Sequence, residues 1–263
     1  MKKILVIISI GVLIPTAFSL KAQDTLLVAT TGPNVLGSNE LQWTNRLGYN
    51  NSQYYTQMPY GHATIHGIGL ASSLRLGVGI HTELTLDLDA VSTFGKTFDS
   101  SSVARFATSF VPTLGVRLNL YKGHGWLPQT TFVTTLSVDS RPGTDLWFLQ
   151  PKVGLQFRDR MGRHWLLDYS LAYSWNQFTN ILLSFDNRPW QYSLVARWLP
   201  NDHLMFGIGV ENGYDHIDAF WQATPNLQVS LQGNARGGWL IAMGQDMSTV
   251  DLQLGLHWLL PAL

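Results

Sequence analysis

Apolar and polar positions alternate with a period of two over most of this chain. The C-terminal segment is the clearest case: Val250, Leu252, Leu254, Leu256, Trp258 and Leu260 are interleaved with Thr249, Asp251, Gln253, Gly255 and His257. Successive side chains of a β-strand point to opposite faces, so this pattern makes one face wholly apolar and the other polar. A helix would scatter the same leucines around its circumference. The alternation recurs at 83–90, 152–158, 165–175, 190–198 and 204–211, and less cleanly at about 104–121 and 126–138.

The segments between these strands fall into two classes. Short ones rich in turn formers lie at 78–80, 122–125, 159–162, 200–202 and 224–226. Glycine, proline, asparagine and aspartate supply the turn geometry there. Longer or more polar connections are expected at about 50–63, 94–103, 139–144, 176–189 and 236–247, with a short exception at 212–215. Short turns on one side and longer loops on the other are the habit of outer-membrane barrels. The count comes to about twelve strands, and an even number returns both termini to the same side. The tyrosines Tyr54, Tyr55 and Tyr60 make the 50–63 connection either a solvated loop or an inward constriction.

Tryptophan position agrees with this map. Trp126, Trp165, Trp198, Trp221 and Trp258 fall near one set of strand ends, and Trp147, Trp175 and Trp190 near the other. Two such bands match the aromatic girdles at the headgroup levels of a bilayer. Lipid offers no hydrogen bonds to a sheet edge, so a spanning sheet must close on itself. The expected fold is therefore all-β, a closed antiparallel transmembrane β-barrel of about twelve strands.

Composition sharpens the picture. Charged residues make up only 13% of the chain and aromatic residues 12%. The charged share is about half that of ordinary soluble domains. No segment after the N-terminus is apolar enough for a spanning helix of about 20 residues. Lys2 and Lys3, the apolar run Ile4–Ile14, Pro15 and the small residue Ala22 have the layout of a cleaved secretory signal. Residues 1–22 are thus expected to be a signal peptide and 23–263 the barrel domain, located in the outer membrane. The chain has no cysteine, which excludes a lipid-modified N-terminal cysteine, a disulfide framework and thiolate metal sites. A formal net charge of zero argues against a nucleic-acid partner. The expected partners are the lipid bilayer, the outer-membrane insertion machinery and a small-molecule solute.

The polar face carries both signs of charge. The pore-lining candidates are Arg75, Glu83, Asp87, Asp89, Arg105, Arg117, Lys152, Arg158, Asp168, Arg197, Glu211, Asp251 and His257, with Glu40 and Arg46 sharing their phase. Such residues either line a pore and select solutes by size and field, or neutralise one another in a filled lumen. Both readings stand at this stage, because a barrel of about twelve strands lies between filled and open sizes. Signals for catalysis are sparse. The chain contains neither an H-E-x-x-H metal motif nor a G-x-S-x-G nucleophile elbow. Asp215-His216-Ile217-Asp218 is read as an ordinary tight hairpin. No cofactor and no metal are expected.

The chain resembles the outer-membrane transporters grouped as the "MetA-pathway of phenol degradation" family. The residues that carry the resemblance are Val35-Leu36-Gly37-Ser38-Asn39-Glu40-Leu41-Gln42, the hairpin Ser73–Leu84, and Thr224–Asn234. The chain departs from the family pattern at Thr30-Thr31-Gly32-Pro33 and at its end, Pro261-Ala262-Leu263. The resemblance implies a Gram-negative, Bacteroidetes-like barrel that moves small solutes, hydrophobic or aromatic ones among them, without catalytic residues. The readings to weigh are a passive channel, a lipid-modifying enzyme with a wall-mounted Ser/His pair, and a structural or adhesive barrel with a sealed lumen.

Overall fold

The computed structural model of this protein describes residues 32–57, 60–96, 104–123, 127–140, 147–175, 189–240 and 245–261. The expected signal segment therefore lies outside the described residues, as do Trp126 and most of the 176–189 connection.

Twelve strands form one closed antiparallel barrel. They are β1 (Glu40–Gln57), β2 (Tyr60–Gly77), β3 (Thr82–Lys96), β4 (Ala104–Tyr121), β5 (Gln129–Ser140) and β6 (Trp147–Met161), followed by β7 (Trp165–Ser174), β8 (Trp190–Asn201), β9 (Leu204–Glu211), β10 (Tyr214–Thr224), β11 (Leu227–Leu240) and β12 (Gln245–Pro261). Each strand pairs with its sequence neighbours, and β1 closes on β12 from Glu40↔Pro261 to Thr56↔Gln245. Closure leaves no edge strand and satisfies the backbone internally.

The expected faces are observed. Leu47, Leu70, Leu114, Leu171, Ile208, Leu231 and Leu254 are all exposed on the outside although they sit in mid-strand. Polar residues such as Gln42, Thr44, Thr131, Ser230 and His257 are buried inside. This inverts a soluble protein and suits a wall bathed in hydrocarbon. Aromatic side chains band the exterior at both ends. Near the termini, Trp43 packs on Trp258 with ring centroids 5.4 Å apart, and Trp165, Trp198 and Phe206 stack in sequence at 6.4 and 6.1 Å. At the far end Tyr173 contacts both Trp175 and Trp190 edge-on.

Two expected loops are instead barrel wall. The 50–63 connection is strand up to Gln57 and again from Tyr60, paired rung by rung from Asn50↔Gly67 to Gln57↔Tyr60. In the same way β11 and β12 extend the ladder to Leu240↔Gln245, through most of the expected 236–247 loop. Once strands leave the apolar band they no longer need an apolar outer face, so alternation fades while backbone pairing continues. An inward-folded 50–63 loop is thereby excluded for the paired residues. The short exception is a two-residue turn: Asn212 and Gly213 have φ of 52° and 84°. Positive φ at both central positions is the type I′ geometry that Asn-Gly favours.

Candidate functional site

The site is the barrel interior, and its construction begins with the chain entering β1. Residues 32–37 do not lie in the wall. They fill part of the lumen mouth at the end that carries both strand termini, with Pro33 and Leu36 fully buried. Their backbone polar groups are taken up by side chains of β2–β5. The Leu36 amide donates to Glu83 Oε2 at 2.9 Å, Arg75 Nη2 donates to the Asn34 carbonyl at 2.9 Å, and Arg117 Nη2 to the Gly32 carbonyl at 2.5 Å. Thr131 Oγ1 donates to the Pro33 carbonyl, also at 2.5 Å. A buried irregular segment must find such partners for its backbone, and the inward arginines and threonine of four strands supply them. Gly77 lets this segment lie against the wall, because a Cβ there would run into the Gly37 carbonyl.

Opposite the segment, four inward side chains form an apolar floor: Leu166, Leu199, Met205 and Phe220, each 2% exposed or less. They interrupt the polar phase of β7–β10 close to the mouth, where only Gln222 follows Phe220 on the inward face of β10. One inward position deeper on the same strands come Asp168, Arg197, Gly207 and Asp218.

That deeper level is a belt of buried ion pairs. Arg75 is bidentate on Glu83, with Nε–Oε1 2.6 Å and Nη2–Oε2 2.8 Å, and Arg117 lies 3.6 Å from the same carboxylate. Further round, Arg158 is bidentate on Asp168 at 2.5 and 2.6 Å. Arg197 links Asp168 to Asp218, its contact with Asp218 Oδ2 being 2.7 Å. His216 then joins Asp218 Oδ2 to Asn234 at 3.1 and 2.7 Å. Four guanidinium groups thus meet three carboxylates, and all seven side chains are at least nine-tenths buried. Bidentate pairing in this geometry offsets much of the desolvation that burial imposes on each charge. The belt is completed on β1, β11 and β12 by neutral contacts: His257 hydrogen-bonds Thr44 Oγ1 through Nδ1 at 3.0 Å and Ser230 Oγ through Nε2 at 2.8 Å.

Above the belt the lumen opens into a cavity of about 500 Å³. Its walls include Arg46, Asp87, Asp89, Lys152 and Glu211, and its floor includes Arg75, Arg117, Asp168, Arg197 and His257. A neighbouring space of about 380 Å³ also touches Arg46 and Glu211 and adds Asp251. Glu83 and Arg158 are placed below the cavity, locked in the belt, and Glu40 caps the turn before β1 by accepting from the Gly37 amide at 2.7 Å. The Arg105 side chain lies outside the described residues.

Three features were not read from the sequence. His216 and Asp218 belong to β10 and the belt, not to a hairpin tip, because the turn is finished by Asn212-Gly213 and the strand starts at Tyr214. The lumen segment around Leu36 carried no signal beyond two apolar residues, Val35 and Leu36, between turn formers. The floor quartet was visible only as apolar lapses in a polar phase. The Ser230–His257 pair does have nucleophile–base spacing, but Thr44 stands where an orienting carboxylate would, and Ser230 is 1% exposed and faces inward. A lipid-acting pair would face the bilayer.

Comparison with solved structures agrees with this architecture. An outer membrane channel from Pseudomonas putida F1 superposes with a TM-score of 0.58 at 9% identity, covering 88% of this chain and 99% of that one. The fold is that of an outer-membrane β-barrel. The transport unit of the autotransporter AIDA-I from Escherichia coli gives a TM-score of 0.52 at 10% identity, covering 91% of this chain and 99% of that one. No family model and no curated protein matches the chain.

Proposed function

We propose that this barrel is a passive outer-membrane channel for small solutes, hydrophobic and aromatic ones among them, of the kind the MetA-pathway resemblance implies. The observation that carries the reading is the lumen cavity of about 500 Å³ above the ion-pair belt. Ligand-sized cavities run from roughly 300 to 1,000 Å³, so this space accommodates a small organic molecule. The pore lining comprises Arg46, Asp87, Asp89, Lys152 and Glu211, with Asp251 at the side. Movement is diffusive and uses no cofactor. Residues 1–22 direct export, and the insertion machinery places 23–263 in the membrane. The named relative that is itself a channel supports this reading through its shared fold.

A sealed barrel is the second reading, favoured by one observation: the belt and the Leu36 segment together occupy the lumen mouth. Planar-bilayer recording separates the two. The channel reading expects discrete current steps from the purified, detergent-refolded protein, and solute entry in a liposome-swelling assay with phenol-sized probes. Silent membranes at protein densities that give steps with a known porin, together with no swelling, would establish the sealed barrel.

A further inference from the structure

The lumen mouth divides into three sectors, and only one of them has the chemistry of a passage. In the β2–β5 sector, the Gly32–Gly37 segment is clamped by Glu83, Arg75, Arg117 and Thr131. In the β7–β10 sector, Leu166, Leu199, Met205 and Phe220 close on one another beneath the paired Asp168, Arg197 and Asp218. The remaining sector, from the inner edge of β10 through β11 and β12 to β1, is lined mainly by neutral polar side chains, Gln222, Gln228, Ser230, His257 and Gln42, with Leu259 the buried apolar residue beside Gln42.

Gln222 and Gln228 sit opposite each other in the β10–β11 ladder. They are 7% and 2% exposed. Gln228 has no hydrogen-bond partner for either its Nε2 or its Oε1, and Gln222 has none for its Oε1, among the described residues. Buried amides in native proteins are almost always satisfied, and an unsatisfied one is costly. Two adjacent glutamines with three free amide functions inside a barrel therefore suit a place where a polar ligand passes. Elsewhere around the mouth, Arg117, Arg197 and Asp218 also carry single unpartnered atoms, but each of these side chains is held through its other atoms by the ion pairs or by the Gly32–Gly37 backbone, whereas the Gln228 amide is unpartnered at both ends among the described residues.

We infer that the inner half of the permeation route runs along the β10–β11–β12–β1 wall past Gln222 and Gln228, and that these two amides select uncharged, hydrogen-bonding solutes such as hydroxyl compounds. An amide offers a donor and an acceptor without charge. A hydroxyl group exchanges its water contacts for both. An ion would have to shed water beside two neutral amides that offer it no countercharge, and a cation would find the three carboxylates of the belt already paired with its four arginines. Phe220, whose ring centroid is 6.0 Å from that of His257, borders the route on its apolar side. The inference rests on the channel reading above.

The test exploits a chain without cysteine. Gln222→Cys, Gln228→Cys and, in the apolar floor, Met205→Cys are recorded in planar bilayers before and after a neutral reagent, hydroxyethyl methanethiosulfonate, is added at the terminal side. Modification is expected to cut conductance at least threefold at the two glutamine positions and to leave Met205→Cys within twofold. Block at Met205→Cys without block at either glutamine overturns the route, as does block at none of the three. If the unsubstituted protein carries no current, the channel reading itself fails, and this inference with it. For selectivity, Gln228→Leu is expected to slow glycerol entry into liposomes at least threefold, with Gln222→Leu used if the first variant does not show the heat-modifiable mobility of a folded barrel. Unchanged glycerol entry in a folded variant overturns the selection by these amides.

Discussion

Arg197 on β8 reaches Asp218 on β10 across a strand that offers only a hydrogen between them: Arg197, Gly207 and Asp218 stand side by side in register, and Nη2 lies 2.7 Å from Oδ2. A Cβ on Gly207 would collide with the Asp218 carboxylate. Gly207→Ala is therefore expected to disrupt the belt by overpacking, at roughly 1–3 kcal/mol. The check is the denaturant midpoint of the refolded barrel in micelles. A midpoint equal to that of the unsubstituted protein would show that the carboxylate has room the structure does not give it.

The pair itself predicts an asymmetric double-mutant cycle. Removing one partner of a buried ion pair strands the other, at a cost of roughly 3–5 kcal/mol, whereas replacing both with apolar residues of similar size is often far milder. Asp218→Ala should destabilise strongly, and Arg197→Met combined with Asp218→Leu should recover much of the loss. Additive effects of the two positions would mean that they do not interact.

Leu36 is fully buried in the lumen, and its amide holds Glu83. Replacing Leu36 with Asp sets a carboxylate near Glu83, and like charges repel in a space with little water. The expected outcome is release of the Gly32–Gly37 segment from the mouth and a several-fold rise in single-channel conductance at unchanged barrel stability. Conductance that does not move would show that the segment leaves the conducting path untouched.

The exterior gives the bluntest test. Leu254 is 49% exposed in the middle of β12, between Leu252 and Leu256. An arginine on the lipid face near the bilayer midplane costs roughly 2–4 kcal/mol. Leu254→Arg should therefore lower the folded fraction in bilayers, while Gln253→Arg, on the inward phase, should be tolerated better. Folding yields from heat-modifiability gels compare the two. Equal yields would contradict the assignment of faces.

Much of this architecture was legible in the chain because a strand has a period of two. The alternation around Leu252, Leu254 and Leu256 dictates which side meets lipid, and turn formers such as Asn212-Gly213 dictate where the chain reverses. The ends of strands were less legible. β1 and β2 continue through Asn50–Gln57 and Tyr60–Ala63, where backbone pairing persists after the apolar signal has gone.

The sequence by itself therefore determined the strands, their two faces, the closure that lipid demands, and the pool of inward charges. Only the tertiary structure decided which of those charges meet. Period two assigns a side chain to the inside but says nothing of its height in the barrel, which depends on the stagger accumulated strand by strand. Thr44 touches His257 across 213 positions of chain, and Leu36 touches Glu83 across 47. Those contacts exist because closing the sheet brings β12 against β1 and folds the approach to β1 inside, where neither spacing nor composition can place them.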